Sequence, residues 1–525
     1  MQGLKFNNQF TSELPGDPND SPAERLISNA LFARVAPKKP ASPYLIHYSP
    51  EVAEEIGLKV SECAGKDFVD LFSGSKIMPG MDPHATCYGG HQFGNWAGQL
   101  GDGRAINLGE RDTEIGHLML QLKGAGPTPF SRNADGFAVL RSSLREYLCS
   151  EAMHHLGIRT TRALSIVGTG EQVMRDFLYD GHPALERGAV VCRVSSSFVR
   201  FGHFQILQAR QEIDLLKRFT DFIIKREYPH LETKKKLDSE NYLAFFSEVS
   251  ERTAEMIVNW MRVGFVHGVM NTDNLSIIGE TIDYGPYGFL DDFNPDWTPN
   301  TTDSAHRRYR YSNQPGIAQW NLMQLANALL PLVGDSKPFE EELSKFARIY
   351  QSKWENMMAK KLGLKKFNES LVQSLLTEIS AIEIDMTIFF QRLSLVSDAD
   401  SDSIAPLKDA FYNQDDARGN HGDELRKWVK CYLSEIRDQG IESGERIATM
   451  RETNPKFIFR NYLAQLAIDD ANQGDFDFLD NLLQILRNPY AEQPKNEHLA
   501  GKRPDWARER AVSYTHLRAH ETSLH

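Results

Sequence analysis

The segment 265–293, FVHGVMNTDNLSIIGETIDYGPYGFLDDF, constrains this chain more than any other stretch. Asp273 and Asn274 close a polar loop, apolar residues 275–278 and 281–282 flank Gly279 as the arms of a short hairpin, and Asp283 then opens DYG. A hairpin of that length brings its two ends together. Asn274 and Asp283 are therefore expected to present oxygen ligands to one magnesium ion bridging phosphates. A capped turn held by Asx hydrogen bonds is the alternative. His267, in the same tight loop, is expected to orient the backbone through a hydrogen bond rather than to catalyse.

Upstream the text changes character. From Gly89 to about Phe204, strand-like runs broken by glycines (QFGNWAGQ, RAINLGE, HLMLQLKG, ALSIVG, AVVCRVS) surround one helical segment at about 137–155. That helix shows Leu140, Leu144, Leu148, Ala152 and Leu156 at i,i+4 steps, with Gly157 as its stop. In HLMLQLK, Leu118, Leu120 and Leu122 alternate with Met119, Gln121 and Lys123, so Lys123 ends a strand. Glu146 lies off the leucine stripe, beside Val139, Cys149 and Met153, where a carboxylate needs a partner. Pairing with Lys123 would hold the ammonium against a phosphate; two unrelated surface charges are the alternative. The preceding GQLGDGRAINLGE carries Gly98, Gly101, Gly103, Gly109 and Arg104, either as a plain hairpin turn or as a loop over phosphates with an arginine donor. A glycine-rich loop, a strand lysine, a helix glutamate and a paired Asn and Asp form the kinase arrangement. Arg193 and Arg200, on the strand-like VCRVSSSFVRFGHF, suit relocated phosphates, a salt bridge or an exposed edge.

One departure bears on the reaction. Protein kinases carry their catalytic Asp five residues before the metal-binding Asn, and Val269 stands at that position here. Asp273 then accepts a hydroxyl proton only if nucleotide or acceptor is placed differently from a kinase.

Three function classes remain: nucleotidyl transfer, an atypical kinase-fold phosphotransferase, and a non-catalytic nucleotide-binding pseudokinase. Retention of Lys123, Glu146, Asn274 and Asp283 argues against the last. Composition narrows the partners. With 71 acidic against 59 basic residues the net charge is −12, which disfavours a nucleic-acid backbone binder. Cys63, Cys87, Cys149, Cys192 and Cys431 form no C-x-x-C pair, and neither a leader nor a membrane span is seen. A cytoplasmic monomer without membrane or nucleic-acid partners is expected.

The expected fold class is α+β, protein-kinase-like and two-lobed: an N-terminal extension over 1–85, a β-rich lobe with one key helix over 86–210, and a mainly helical lobe over 211–511. Later helices are placed at about 317–332, 338–361, 367–394 and 422–438, around a solvated acidic stretch, SDADSDS. Residues 512–525 have neither periodicity nor capping logic, resemble adaptor-derived read-through, and are set aside as a non-native or disordered tail.

The strings YGGHQFGNWAGQLGDGRA, LQLKGAGPTPFSR, DGFAVLRSSLREYL, VRFGHF, HGVMNTDN, DYGPYGFLDDF and NQPGIAQWNL, in this order, resemble the selenoprotein O (YdiU) family of kinase-fold protein adenylyltransferases. The resemblance extends to about residue 511. It implies transfer of AMP from ATP, or of UMP from UTP with manganese, to Ser, Thr or Tyr hydroxyls of proteins, the nucleotide lying flipped relative to kinases. It further implies that Gly101, Gly103, Arg104, Lys123, Asp135, Gly136, Arg193 and Arg200 contact nucleotide. On the same grounds Asp273 becomes the proton acceptor, and Asn274 and Asp283 hold Mg2+ or Mn2+. Two departures stand out: the tail lacks the family's usual terminal cysteine or selenocysteine, and Pro299 replaces a cysteine found in some bacterial members. A redox bridge between that loop and the tail has no support in this sequence.

Overall fold

Alternation along HLMLQLK decides how the β-rich part is built. Strands are β1 (Gly16–Asp17), β2 (Phe32–Arg34), β3 (Tyr44–Tyr48), β4 (His84–Thr86), β5 (Gly89–Gln92), β6 (Asn95–Gln99), β7 (Ala105–Thr113), β8 (Gly116–Lys123), β9 (Arg162–Arg175) and β10 (Ala184–Ser195). In this computed structural model, which describes residues 4–176, 181–232, 236–397 and 403–509, eight of them form one sheet in the order β1-β2-β4-β7-β8-β10-β9-β3. Side chains alternate across a strand. Leu118, Leu120 and Leu122 of β8 therefore join Val190, Cys192 and Val194 of β10 in an apolar layer on one face. Met119, Gln121 and Lys123 point to the other face, together with Arg193, which β10 sets opposite Gln121.

The first 85 residues do more than pack on a core. They supply β1 to β4 of the same sheet, and Val52, Ile56, Phe68, Leu71 and Phe72 from their short helices cover its leucine face. The opposite face carries helix Leu140–His155, which begins three residues later than the periodicity predicts and is buried nearly all round. Arg145 on this helix donates to Tyr287 O at 2.8 Å and stacks over the Tyr287 ring, while the Tyr287 hydroxyl returns a bond to Arg145 O at 2.8 Å. The key helix is thus clamped directly to the DYGPYG segment.

Beyond the sheet the chain is helical. Phe201–Ala209 is a helix, not the end of a strand run: FGHFQIL is apolar because Phe201 to Leu207 are buried on every side, so no period is visible. Arg200, read as a strand residue, is its N-cap. Helices follow at Ser239–Val263, Gln314–Val333, Lys337–Lys361 and Asn420–Asp438. The helix expected over 367–394 is two, Glu369–Ser380 and Met386–Leu393. Asp385 breaks it by capping the second, accepting from Ile388 N at 3.0 Å. Residues 398–402 of the acidic stretch and the tail 512–525 lie outside the described residues. Among the described residues no helix is long and apolar enough to cross a membrane.

Candidate active site

Residues 275–283 do not pair with each other as a two-stranded hairpin. Gly279 N bonds Ser276 O at 3.3 Å in a tight turn, and each arm is satisfied by a different neighbour. The first arm bridges to Arg200 and Val199, the second to Thr160 and Arg159. This wedges the loop between helix Phe201–Ala209 and β9, and its ends still converge on one cleft. Asn274 and Asp283 both line it, with Lys123, Glu146, Arg193, Arg200, Gly103 and Arg104. The cleft encloses about 810 Å³, counting space open to solvent.

Its charges are built as a network. Lys123 Nζ lies 2.6 Å from Glu146 and 3.5 Å from Asp283. Arg193 spans the same two carboxylates, at 3.0 and 2.7 Å, and donates to Gln121, its cross-strand neighbour. Arg200 pairs with Asp283, donates to Asp273 O at 2.8 Å and stacks over Tyr88. Asp283 itself has left-handed backbone, φ 57°, a conformation that Asp and Asn tolerate better than other side chains. Burial would raise the Asp283 carboxyl, but Arg200, Arg193 and Lys123 outweigh it and hold the group well below the usual carboxylate range. Burial lowers the Lys123 ammonium, with Glu146 and Asp283 opposing the fall.

Four cations and three carboxylates line the cleft, an excess of positive charge in a chain of net charge −12. Arg104 forms no ion pair among the described residues, and the Nε atoms of Arg193 and Arg200 are buried without a hydrogen-bond partner there. An oxyanion suits that excess of positive charge.

Not every residue singled out in the sequence reaches this cleft. Gly103 lines it, but its amide already bonds Gly101 O at 2.8 Å, so the loop offers Arg104 rather than a row of open amides. Gly101 packs against Phe130 instead. Asp135 sits in a bidentate pair with Arg175, both contacts 2.8 Å, and neither it nor Gly136 lines the cleft. His267 donates from Nε2 to Ile282 O at 2.9 Å and accepts at Nδ1 from Val269 N, an orienting arrangement.

Asp273 is fully buried, and what covers it is the hairpin β5–β6. Gln92 Nε2 donates to Asp273 Oδ2 at 3.3 Å, and His91 N to Thr272 Oγ1 at 2.7 Å. A Cβ on Gly90 would stand 2.6 Å from Asp273 Oδ1, so only glycine admits this approach. Burial is the main reason that the Asp273 carboxyl is pushed up to about 6, with the negative Asp283 adding to it and Arg200 and Gln92 opposing. Val269, where a kinase has its base, lines the cleft and accepts from Asn274 Nδ2 at 3.0 Å. That bond orients the Asn274 amide.

Residues that sequence reasoning missed are Asp102, Tyr88 and the covering pair Gly90 and Gln92. Asp102 accepts from Thr86 N at 2.9 Å and lies 3.7 Å from Arg200. Its position between two glycines in LGDG was the available signal; Tyr88 and Gln92 carry none, because their partners are distant in sequence.

A sequence profile described as Protein adenylyltransferase SelO matches residues 19–487. The chain belongs to the SelO family. Relatives called Protein nucleotidyltransferase YdiU include that of Aromatoleum aromaticum, 52% identical over 519 residues, covering 97% of this chain and 98% of the relative. That of Flavobacterium johnsoniae is 49% identical over 512 residues, with 97% and 98% covered, and that of Rhodopirellula baltica 50% over 526 residues, with 97% of each covered. SelO membership therefore applies to nearly the whole length, and the cleft lies within the matched span.

Proposed function

We propose that this chain transfers AMP from ATP, or UMP from UTP, to Ser, Thr or Tyr hydroxyls of other proteins. The scaffold is a kinase-like two-lobed fold, with residues 86–210 covering the nucleotide and 211–511 carrying the catalytic and metal-binding loops. It works in the cytoplasm as a monomer. The carrying observation is the convergence of Arg193 and Arg200 on Asp283, beside the Lys123–Glu146 pair, with apolar Val269 in the place of a kinase base. The names of the relatives, protein nucleotidyltransferase, agree with that chemistry.

In the reaction the acceptor oxygen bonds to the α-phosphorus, the bond from that phosphorus to the bridging oxygen breaks, and pyrophosphate leaves. The hydroxyl proton goes to Asp273. Lys123, Arg104, Arg193 and Arg200 bind the phosphates, and Glu146 holds Lys123 in place. Asn274 and Asp283 suit a hard divalent cation, because an amide oxygen and an ionised carboxylate both line the cleft. Asn274 and Asp283 would hold Mg2+ or Mn2+, which would supply charge neutralisation of the phosphates. Asp283 is already surrounded by three cations, so a metal would bind there more readily once polyphosphate draws those cations away. Gly101, Asp135 and Gly136 act by shaping the loops beside the nucleotide. Because Gly90 and Gln92 cover Asp273, the acceptor hydroxyl reaches it only as that strand gives way.

Intact-mass spectrometry of an acceptor protein incubated with enzyme, metal and nucleotide tests the proposal. An adenylyl or uridylyl addition is expected; a phosphoryl addition would replace nucleotidyl transfer by phosphotransfer. A pH series adds a second test. A base must be deprotonated to act, so kcat/KM should rise with pH through about 6 and level off above it. Asp273→Asn should remove that rising limb along with most of the activity, and an unchanged profile would take Asp273 out of its role.

A further inference from the structure

The hairpin that covers Asp273 has an outer side, and it meets a basic turn. Tyr309 OH donates to Asn271 Oδ1 at 2.5 Å, and Phe93 N bonds both groups, at 3.2 Å to Asn271 and 3.0 Å to Tyr309. The hairpin tip and the segment before Tyr309 are thus tied to the loop that carries Asp273. Asp303 builds the turn: its carboxylate accepts from Arg308 N at 2.9 Å and Tyr309 N at 2.7 Å, and its carbonyl from Arg307 N at 2.6 Å. Arg307 is held exposed in left-handed backbone, φ 47°, which an arginine rarely adopts.

Arg308 is half-buried. Its guanidinium stacks 4.8 Å over Trp320, with Gly94 packed on it, and its Nε is buried without a hydrogen-bond partner among the described residues. No carboxylate among the described residues lies within ion-pair distance of the Arg307 or Arg308 guanidinium, Asp303 attracting Arg308 only from farther off, whereas nearby Arg310 has Asp296 at 3.0 Å. Beside them Phe93 and Trp96 are 36% and 40% exposed. A chain of net charge −12 has ample carboxylate to neutralise ordinary surface arginines.

We propose that the surface formed by the tip of β5–β6 and the turn at 306–309 docks the acceptor protein, favouring a segment with carboxylates beside its hydroxyl and apolar side chains against Phe93 and Trp96. Identifying this partner as the acceptor rests on the nucleotidyl-transfer proposal; the docking itself is measured apart from it. A segment seated here lies against the strand that must yield for its hydroxyl to reach Asp273. Arginines stacked on aromatics suit carboxylates, and mixed aromatic and cationic area suits a protein more than a phosphate backbone, which calls for a longer run of cations.

Binding of fluorescein-labelled serine peptides, flanked by Glu or by Lys around one apolar residue, is measured by anisotropy on the full chain, alongside α-label transfer from ATP. The Glu peptide should bind about tenfold tighter than the Lys peptide. Arg307→Glu combined with Arg308→Gln should erase that preference, while Arg307→Lys keeps it and shows that charge, not folding, is read. Equal binding of the two peptides, or a preference unmoved by the double variant, would overturn the proposal. So would arginine-dependent binding of a short RNA or of anionic vesicles with no binding of the Glu peptide. If the charge preference holds and no α-label is transferred, the docking surface stands and the nucleotidyl-transfer proposal falls.

Discussion

Asp283→Ala is expected to lower nucleotidyl transfer on the order of a thousandfold while leaving metal-free nucleotide binding intact or tighter. Two consequences of one geometry separate here. Asp283 is the carboxylate proposed to hold the metal, and it is also the counter-charge of Arg193, Arg200 and Lys123. Removing it takes away the metal ligand and leaves three cations with less counter-charge, Glu146 reaching Lys123 and Arg193 and Asp102 lying 3.7 Å from Arg200. A polyphosphate then finds a more positive cleft. Titration calorimetry of ATP without metal, beside transfer rates with it, checks both halves. Full activity in the variant would remove Asp283 from metal binding, and loss of metal-free nucleotide binding would mean that the arginines need Asp283 to stay in place.

The second large effect involves residues that do not line the cleft. Arg460 is buried, bonds Asp385 through two nitrogens at 2.8 and 2.9 Å, and reaches Asp291 at 3.0 Å. Burial raises the Asp291 carboxyl on balance, with Arg460 and Arg503 opposing. Arg460→Leu strands the buried Asp385 and leaves Asp291 only Arg503, at 3.6 Å, and breaking a buried pair in this way costs about 3–5 kcal/mol. The cap of helix Met386–Leu393 and residues 289–291, just after DYGPYG, should loosen together, because Met386 N bonds Asp291 O at 2.9 Å. A lowered thermal midpoint with a smaller loss for Arg460→Lys is the expected result. Lysine keeps the charge but cannot span two carboxylates with a planar fork. A midpoint unchanged in Arg460→Leu would show that the pair contributes nothing net.

What was legible in the sequence follows from how local its causes are. The alternation of Leu118, Leu120 and Leu122 against Gln121 and Lys123 is a two-residue period, so the side of the sheet that Lys123 faces can be read directly. Glu146 stands out as a carboxylate on an apolar helix face, and it does meet Lys123 at 2.6 Å. Gly279 marked a turn correctly, yet the pairing of its arms depends on β9 and on the N-terminus of helix Phe201–Ala209, which no local pattern reveals. That helix was itself hidden, because uniform burial erases amphipathic period. The break at Asp385 was missed for a related reason: helix propensity runs on through 381–385, and the cap wins only because Arg460, distant in sequence, holds the aspartate. The covering of Asp273 by Gly90 and Gln92 is also a long-range fact. The glycines of YGGHQFGNWAG are visible in the sequence, but what approaches them is not.

Fate of the phosphates of ATP tests the central claim most directly. Full-length protein, an acceptor protein and Mg2+ or Mn2+ are incubated in parallel with ATP labelled at the α- or at the γ-phosphate, and acid-stable label on protein is counted. Nucleotidyl transfer predicts α-label on the acceptor, none from the γ-position, and γ-label recovered as pyrophosphate. Acid-stable γ-label on the acceptor, with the α-label left in ADP, would contradict it.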